Sequence, residues 1–567
     1  MFSLKKRGLL PVLVLTLAAG LQAAPKLRLV STTVGPVSVN TGASPAQQTV
    51  EAYNAGDGSL GLAVSTSANW LTAALGAPRP CSLREGQCTP INISFNTASQ
   101  ARGTYTGFVT VSDPNALDAP QTISVTVNVG GAIPDSVNLY VAPNGSADQL
   151  RFTTNSLLRS TANTQSGGPW LSLALEGSGS FRFQFPYRIQ AQHLEGMAEG
   201  TYNGTLAVID SAVTQENKTV NVTLRVTSQP IARPSQSLVG FKMAAGAAKQ
   251  TVPVLISNGG LGDLTVSGVT ATTASGGNWL TAETAPNGIV NVSADVNGVA
   301  AGSYRGTVTV NSNAANGALA IPVNLEVVAA GPPQGVYGGV LNSANFDDGF
   351  APGSVVAIFG EQFTNAAPVS ATAVPLQTTL GGVRVLVNDV AAPVFFSSYN
   401  QVNFQIPYET VPGEAIVRVE REGTRGNPLA INVNARAPRI IQVGNYGVIV
   451  NQDGSLPMPG GRPARPGQVI TIYAVGLGAT SPAVGTGEGA PAAEPLARVT
   501  SPPRVILGNA FQGAEVLQPI FVGLTPGLVG LYQVNVILPA ETPTGDVFIS
   551  LEGDDYRSNV VLLQIQE

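Results

Sequence analysis

The pentapeptide "GTYTG" at 103–107 returns as "GTYNG" at 200–204 and as "GSYRG" at 302–306. A Trp-Leu pair precedes each copy by roughly 25 to 35 residues, and no other tryptophan occurs in the chain. The three tryptophans are Trp70, Trp170 and Trp279. Because the pattern recurs about every hundred residues, it indicates an array of similar domains, whereas solenoids repeat over about 20 to 50 residues.

Each copy of the pentapeptide predicts a tight turn that feeds a β-strand. The leading glycine permits the turn, and residues two apart along a strand share one face. We predict that Tyr105, Tyr202 and Tyr304 point into the core with the aliphatic residues four and six positions later. The second glycine then leaves room for the repeat's own tryptophan. The alternative is that the three tryptophans are exposed and form a platform on which a sugar stacks.

The composition predicts an all-β protein. Charged residues are 11% of the 567 residues, against about 25% in average proteins. The chain therefore has too few charged side chains to cover the solvent-exposed faces of long helices. Valine, threonine and isoleucine stand in short alternating runs, and glycine and proline separate these runs. We therefore predict tandem immunoglobulin-like β-sandwiches, with three N-terminal repeats and a duplicated C-terminal pair.

Each N-terminal repeat closes with a second alternating run. These runs are "TISVTVNV" at 122–129, "TVNVTLRV" at 219–226 and "AIPVNLEV" at 320–327. They predict domain boundaries at 25–130, 131–228 and 229–330, and about 100 residues is the size of an immunoglobulin-like sandwich. The "WL" and "G-[ST]-Y-x-G" phrases resemble the BACON-like modules of secreted bacterial proteins. That resemblance implies either binding of carbohydrate or mucin, or a spacer role.

The C-terminal part contains two diverged copies of another unit. "APGSVVAIFGEQF" at 351–363 returns as "RPGQVITIYAVGL" at 465–477, and "QVNFQIP" at 401–407 returns as "QVNVILP" at 533–539. We predict the units 331–437 and 438–567, with an insertion in the second copy at 485–495. The unit resembles the IPT/TIG class of immunoglobulin-like domains. The phrases "LNSANF", "LGGVRVLVN" and "IYAVGLGAT" are similar to a C-terminal domain family of large secreted Acidobacteria proteins, which implies a location and an architecture without a chemistry.

The two "QVN" strands predict one buried and one polar face. By the two-residue period, the aliphatic and aromatic side chains of 402–406 and 534–538 point inward, and Asn403 and Asn535 share the opposite face. One interpretation is that these asparagines bond to backbone in an adjacent loop. The other is a polar binding strip bordered by Tyr399 and Tyr408.

The N-terminus is typical of an export signal. Lys5, Lys6 and Arg7 precede an apolar run, and "QAAP" offers small residues for cleavage. We predict a signal peptide at 1–24, with a retained anchor helix as the alternative, and no membrane span after cleavage. The net charge of −5 argues against nucleic acid as a partner. The expected location is extracellular or the cell surface, and the expected partner is an extracellular glycan or a surface protein.

The residues that could carry chemistry are few. Cys81 and Cys88 in "CSLREGQC" predict a disulfide, which export permits. His193 is the single histidine, which rules out a histidine-based zinc site, and no nucleophile elbow accompanies it. We therefore expect no enzyme, no metal and no cofactor. The function predicted is a non-catalytic adhesion module, binding module or spacer, with a carbohydrate-binding accessory protein as the alternative and a carboxylate-based glycan-active enzyme as a minor one.

Overall fold

The computed structural model describes residues 24–176, 184–508 and 513–566. These residues form β-strands, and the helical structure among them is two single 3₁₀ turns, Thr214–Glu216 and Pro286–Gly288. The predicted signal segment lies outside the described residues except for Ala24. Across the described ranges, no helix has the length and apolar character that a membrane crossing requires. The fold class is all-β, as predicted.

The strands of the three N-terminal repeats are short. The first repeat contains β1 (Leu27–Leu29), β2 (Thr33–Val39), β3 (Gln48–Asn54), β4 (Ala63–Thr66), β5 (Leu71–Leu75), β6 (Arg79–Pro80), β7 (Gln87–Phe95), β8 (Gly103–Ser112) and β9 (Gln121–Val129). The second contains β10 (Ser136–Val141), β11 (Asp148–Thr154), β12 (Arg159–Thr164), β13 (Leu171–Leu175), β14 (Phe185–Ala191), β15 (Gly200–Ile209) and β16 (Lys218–Val226). The third contains β17 (Ala232–Pro234), β18 (Val239–Ala244), β19 (Gln250–Asn258), β20 (Val266–Thr273), β21 (Leu280–Ala285), β22 (Ile289–Ala294), β23 (Gly302–Ser312) and β24 (Leu319–Val328).

Each repeat folds into two facing sheets of similar topology, although one sheet of the second repeat has three described strands where the other repeats have at least four. In the third repeat the strand orders are β17-β19-β22-β21 and β18-β24-β23-β20. The first repeat has β1-β3-β7-β5 and β2-β9-β8-β4, and the second has β11-β14-β13 and β10-β16-β15-β12. In all three, an early strand runs parallel to the last one, as β2 does to β9, β10 to β16 and β18 to β24. This common arrangement is that of an immunoglobulin-like sandwich.

The repeated pentapeptide opens the same strand in every repeat, namely β8, β15 and β23. Burial alternates along these strands, as the two-residue period predicts. The inward aliphatic side chains are at most 1% exposed in all three strands: Val109, Val111, Leu206, Val208, Val308 and Val310. Tyr105, Tyr202 and Tyr304 are partly buried and pack against the cores of their own repeats.

The two C-terminal units are also sandwiches. The first contains β25 (Gln334–Asn342), β26 (Val355–Glu361), β27 (Val369–Ser370), β28 (Val383–Val387), β29 (Val390–Ala392), β30 (Val394–Ser397), β31 (Gln401–Gln405), β32 (Gly413–Arg421), β33 (Thr424–Arg425) and β34 (Leu429–Val433). The second contains β35 (Arg439–Ile440), β36 (Gln442–Val443), β37 (Tyr446–Gly447), β38 (Ile449–Asn451), β39 (Val469–Val475), β40 (Thr480–Ser481), β41 (Arg498–Val499), β42 (Arg504–Leu507), β43 (Glu515–Leu517), β44 (Phe521–Leu524), β45 (Tyr532–Ile537), β46 (Gly545–Glu552) and β47 (Val561–Ile565).

The strand register shows that Asn403 and Asn535 are equivalent. Asn403 lies opposite Ala357 on β26 and Phe396 on β30. Asn535 lies opposite Thr471 on β39 and Phe521 on β44. The inward side chains of both strands are at most 1% exposed: Val402, Phe404, Ile406, Val534, Val536 and Leu538. The two strands therefore occupy equivalent places in their sheets, and the predicted inward face is confirmed.

The extra length of the second unit is divided between loops. Residues 485–495, where we predicted one insertion, do lie in the loop between β40 and β41. The connection between β44 and β45, however, runs over 525–531, whereas the equivalent connection between β30 and β31 runs over only 398–400. The insertion predicted at 485–495 therefore accounts for only part of the extra length, because loops that join the same two strands can lengthen independently without disturbing the sheets.

The first repeat packs against the first C-terminal unit, although the second and third repeats separate them in sequence. The backbone N–H of Asp118 donates to the carbonyl oxygen of Pro428 at 2.9 Å, and the N–H of Ala430 donates to Asp118 Oδ1 at 2.8 Å. Lys26 forms an ion pair with Glu414 across the same contact. The chain therefore folds back on itself, and the first repeat does not stand at the free end of a string.

Candidate functional site

The three tryptophans lie in the cores of their repeats. Their exposed fractions are 6% for Trp70, 1% for Trp170 and 2% for Trp279. The second glycine of each pentapeptide gives the indole its space. A Cβ atom on Gly107 would lie 3.1 Å from Trp70 Cζ2, and one on Gly306 would lie 3.4 Å from Trp279 Cη2. The predicted core role is confirmed, and the indoles offer no exposed platform for a sugar.

The tyrosines of the pentapeptides fix a corner of each sandwich. The hydroxyl groups of Tyr105, Tyr202 and Tyr304 each donate a 2.9 Å hydrogen bond to the carbonyl oxygen four residues upstream. This is the tyrosine corner of immunoglobulin-like domains. Sequence reasoning missed the bond, but the alanine at the accepting position in all three repeats was an available signal.

The contact between tyrosine and tryptophan differs among the repeats. Trp70 and Tyr105 meet edge to face, with ring centroids 6.4 Å apart. In the third repeat a glycine stands between the two rings. A Cβ atom on Gly276 would lie 2.5 Å from Tyr304 Cδ1 and 3.3 Å from Trp279 Cδ1. The predicted pairing is therefore a direct ring contact in the first repeat and is bridged by glycine in the third.

Cys81 and Cys88 form the predicted disulfide, with their Cα atoms 4.9 Å apart. Glu51, which is buried, holds the loop that the disulfide closes. It accepts hydrogen bonds from the Ser82 backbone N–H at 2.9 Å and the Ser82 hydroxyl at 2.7 Å, and Arg79 lies 3.0 Å away. The backbone hydrogen bond from Ser82, with the further help of its hydroxyl group, lowers the pKa of the Glu51 carboxyl. The disulfide loop is thus anchored to strand β3.

The polar strip that we predicted between Tyr399 and Tyr408 is not an open surface. Tyr399 is 6% exposed and packs into the core of the third repeat, where burial raises the pKa of its hydroxyl well above the usual value. Burial also raises the pKa of Tyr408, whose N–H donates to Thr486 of the second C-terminal unit at 2.9 Å. The strip is covered because neighbouring modules pack on both of its ends.

Within the described residues, the two asparagines of the strip do not bond to a loop backbone as the other interpretation predicted. Asn403 Oδ1 accepts a hydrogen bond from Gln401 Nε2 at 2.8 Å, because residues two apart on one strand share a face. Asn535 Oδ1 is buried and has no hydrogen-bond partner within the described chain. Neither observation supports a ligand strip on β31 and β45.

The single histidine has a structural position. The Asn144 backbone N–H donates to His193 Nδ1 at 3.3 Å, and His193 Nε2 lies 3.0 Å from the Met197 carbonyl oxygen. The residues described in the structure contain no group of three or more metal-ligating side chains. Asp453, in the "NQDGS" turn, forms an ion pair with Arg462. These residues therefore tie loops together.

A cleft of about 420 Å³ opens where the first repeat, the third repeat and the first C-terminal unit meet. The outer faces of β8 and β9 form one side of the cleft and provide an aromatic ring and hydroxyl groups. On another side of the cleft, Lys242 and Glu361 form an ion pair at 2.8 Å. Tyr337, from β25, is 41% exposed at its edge. The volume lies within the range of about 300 to 1,000 Å³ that is usual for small-molecule sites.

Ion pairs and cation–π contacts hold the walls of this cleft. Lys242 Nζ lies 5.3 Å from the centroid of the Phe108 ring, and the Arg28 guanidinium lies 4.2 Å from that of the Tyr337 ring. Arg28 also pairs with Asp118 at 2.6 Å. Sequence reasoning missed the cleft because its walls come from three modules that are far apart in the chain.

Comparisons with known proteins identify no family for this chain. No family model and no curated protein matches the chain. An endo-fucoidan hydrolase from glycoside hydrolase family 107 is similar at 15% identity and a TM-score of 0.20, covering 55% of this chain and 45% of that one. The cadherin domains 1–5 of protocadherin gamma B2 are similar at 12% identity and a TM-score of 0.15, covering 90% and 93%.

The human desmocollin-1 ectodomain is similar at 10% identity and a TM-score of 0.16, covering 73% of this chain and 79% of that one. The chain spans less than half the length of the endo-fucoidan hydrolase. Likenesses at these identities and TM-scores carry no argument about the activity or the partners of this chain.

Proposed function

We propose that the protein is a non-catalytic binding module of the cell exterior, built as a rigid frame. The observation that carries this proposal is the packing of the first repeat on the first C-terminal unit through Asp118, Pro428 and Ala430. A spacer gains reach when its domains stand in line, and this contact brings distant domains together instead. The frame holds a cleft open between three modules, which is a common place for a ligand site.

The proposed location rests on the sequence and on the disulfide. A disulfide between Cys81 and Cys88 persists in an oxidising compartment, and the N-terminal pattern is that of an export signal. Binding at the cell exterior also agrees with a surface poor in charge, since charged residues are only 11% of the chain.

A second candidate function is that of an accessory protein that binds extracellular polysaccharide. The cleft favours it, because Phe108 and Tyr337 offer aromatic surface beside hydroxyl groups. The third candidate, a glycan-cleaving enzyme, requires two facing carboxyl groups. Among the described residues that line the cleft, Glu361 is the one carboxylate, and Lys242 neutralises it.

An array of polysaccharides and extracellular-matrix proteins tests the proposed function. We expect the full chain to be retained, saturably, by at least one immobilised material. Release of reducing ends or of peptide fragments from that material would overturn the non-catalytic assignment. Retention by none of the materials would overturn the binding role.

A further inference from the structure

We propose that the outer face of the second C-terminal unit packs on the same face of a second copy of this chain, so that the protein forms a twofold dimer. The outward side chains of β39, β44 and β45 form this surface, which we call the 537 face. Its members are Val469, Thr471, Phe521, Asn535 and Ile537. The inference goes beyond the proposed binding function, which a single copy could perform.

The duplicated unit contains an equivalent of this face, and there it is an interface between modules. Val355 lies opposite Gln405 in the first C-terminal unit, as Val469 lies opposite Ile537 in the second. The aligned phrases "APGSVVAIFGEQF" and "RPGQVITIYAVGL", and "QVNFQIP" and "QVNVILP", give the same correspondence. Gln405 is 0% exposed, whereas Ile537 is 49% exposed. The first unit therefore covers a position that the second unit leaves open.

Two loops of the second unit cover the equivalent face of the first. The Gly487 N–H, from the loop between β40 and β41, donates to Gln405 Oε1 at 2.7 Å. A Cβ atom on Gly530, from the connection between β44 and β45, would lie 3.0 Å from Val355 Cγ2. These are the connections that give the second unit its extra length. The added loop length therefore serves to join the two units.

A loop of this kind is not available to cover the 537 face. Both covering loops of a second copy are engaged with that copy's own first unit, through Gly487 and Gly530. The first unit has only the short connection 398–400 where the second has 525–531. The occupant that fits is therefore the flat sheet face of a second copy, since two sheets pack well face to face.

The composition of the 537 face suits contact with itself. Ile537 is apolar where the first unit has the amide of Gln405, and an exposed apolar surface marks an interaction site. Val469 and Phe521 are half-buried beside it. The five side chains that form the face are uncharged, so two copies meet without repulsion between like charges. A twofold contact places such a patch against itself and closes after two copies.

The rim of the face is also compatible with a twofold contact. The Arg498 guanidinium lies 4.8 Å from the centroid of the Phe521 ring, and Arg498 pairs with Glu494 at 3.1 Å. Each copy therefore brings both signs of charge to the rim, and neither sign is in excess there.

Sedimentation equilibrium of the full chain over a dilution series tests the inference. We expect a reversible equilibrium between monomer and dimer, and Ile537→Glu should raise the dissociation constant of the dimer at least about tenfold. The reason is that the twofold contact would bury two carboxylates in an apolar surface. Ile209→Glu is the matched control, since Ile209 ends strand β15 and is also 49% exposed. It should dimerise as wild type does.

Ile537→Gln is a second, uncharged variant that introduces the residue found at the equivalent position 405. It should also weaken the dimer, and it decides the question if circular dichroism shows that Ile537→Glu does not fold. A monomer at every concentration, or equal dimerisation of the folded position 537 variants and wild type, would overturn the inference. A mass that grows beyond the dimer would overturn the twofold contact. A monomer that is still retained on the array of polysaccharides and matrix proteins would leave the proposed function intact.

Discussion

The hydroxyl group of Tyr304 donates a 2.9 Å hydrogen bond to the carbonyl oxygen of Ala300, four residues before it. The same bond joins Tyr202 to Ala198 and Tyr105 to Ala101. In each repeat it ties the start of a core strand to the loop that enters it. The repeated phrase in the sequence therefore encodes both a buried strand and the hydrogen bond that fixes its third residue.

Removing this hydrogen bond is expected to destabilise the third repeat locally. Tyr304→Phe keeps the ring against the core and deletes only the hydroxyl, so the opening free energy of strand 302–312 should fall by about 1 kcal/mol. Hydrogen–deuterium exchange followed by mass spectrometry measures that opening. Tyr53→Phe is the control, since the Tyr53 hydroxyl has no hydrogen-bond partner among the described residues. Equal exchange in Tyr304→Phe and wild type would contradict the role of the corner.

The second glycine of the pentapeptide should not tolerate a side chain. In Gly306→Ala the new Cβ atom would lie 2.6 Å from Leu280 Cδ2 and 2.8 Å from the Thr272 carbonyl oxygen. We expect a loss of about 1–3 kcal/mol in the stability of the third repeat, because an overpacked core must shift to relieve the contacts. The measurement is hydrogen–deuterium exchange of residues 302–312 in increasing urea, which reports on the third repeat alone.

Gly240→Ala is the matched control for this substitution. Gly240 also lies in a strand of the third repeat, β18, and a Cβ atom there would meet nothing within 4 Å. Its replacement should be neutral or slightly stabilising, since alanine narrows the unfolded ensemble. A loss in Gly240→Ala as large as that in Gly306→Ala would show that the space beside Trp279 is not the cause.

Sequence periodicity predicted which side chains pack in the core of each module. The alternation around Val308 and the space left by Gly306 follow from side chains two apart sharing one face of a strand. Periodicity carries no information on which outer faces meet between modules. For that reason Tyr399, on an outer position, was expected at the border of an open strip, whereas it is buried against the third repeat. The cleft around Gln121 was missed for the same reason.

Acidic pH should weaken the loop that the disulfide closes. The pKa of Glu51 is lowered from 4.5 chiefly by the Ser82 backbone hydrogen bond. The stabilisation that the Glu51 carboxylate contributes is therefore complete above pH 4.5, and it is lost as the pH falls through the lower pKa of the folded state. Glu51→Gln lacks this carboxylate, so wild type should melt higher than the variant near pH 7, and the gap should narrow below pH 4. A gap that is constant over this range would contradict the prediction.

Glu326 should show the opposite dependence. Burial raises the pKa of this carboxyl above 4.5, and Glu361 raises it further while Lys242 opposes both. The folded state disfavours the ionised carboxylate, so the free energy of unfolding falls as the pH rises through the raised pKa. Glu326→Gln should therefore melt as wild type does near pH 4 and higher than wild type near pH 8. Glu283→Gln, an exposed change on β21 of the same repeat, should track wild type at both values.

The last prediction concerns the contact that closes the frame. Asp118 is 1% exposed, has a positive φ of 62°, and accepts hydrogen bonds from Arg28 at 2.6 Å and from the Ala430 N–H at 2.8 Å. Asp118→Ala removes both bonds and places alanine in a left-handed conformation that it disfavours. Removing one partner of a buried ion pair costs about 3–5 kcal/mol, enough to release the first repeat from the first C-terminal unit. Small-angle X-ray scattering should then record a larger radius of gyration.

Asp118→Asn should open the frame less, because asparagine tolerates positive φ and its Oδ1 can still accept from Ala430. Asp57→Ala, an exposed aspartate of the same repeat, should leave the radius unchanged. Equal radii for wild type and Asp118→Ala would mean that the first repeat is held elsewhere, and the contact would lose its place as the observation that favours a rigid frame over a spacer.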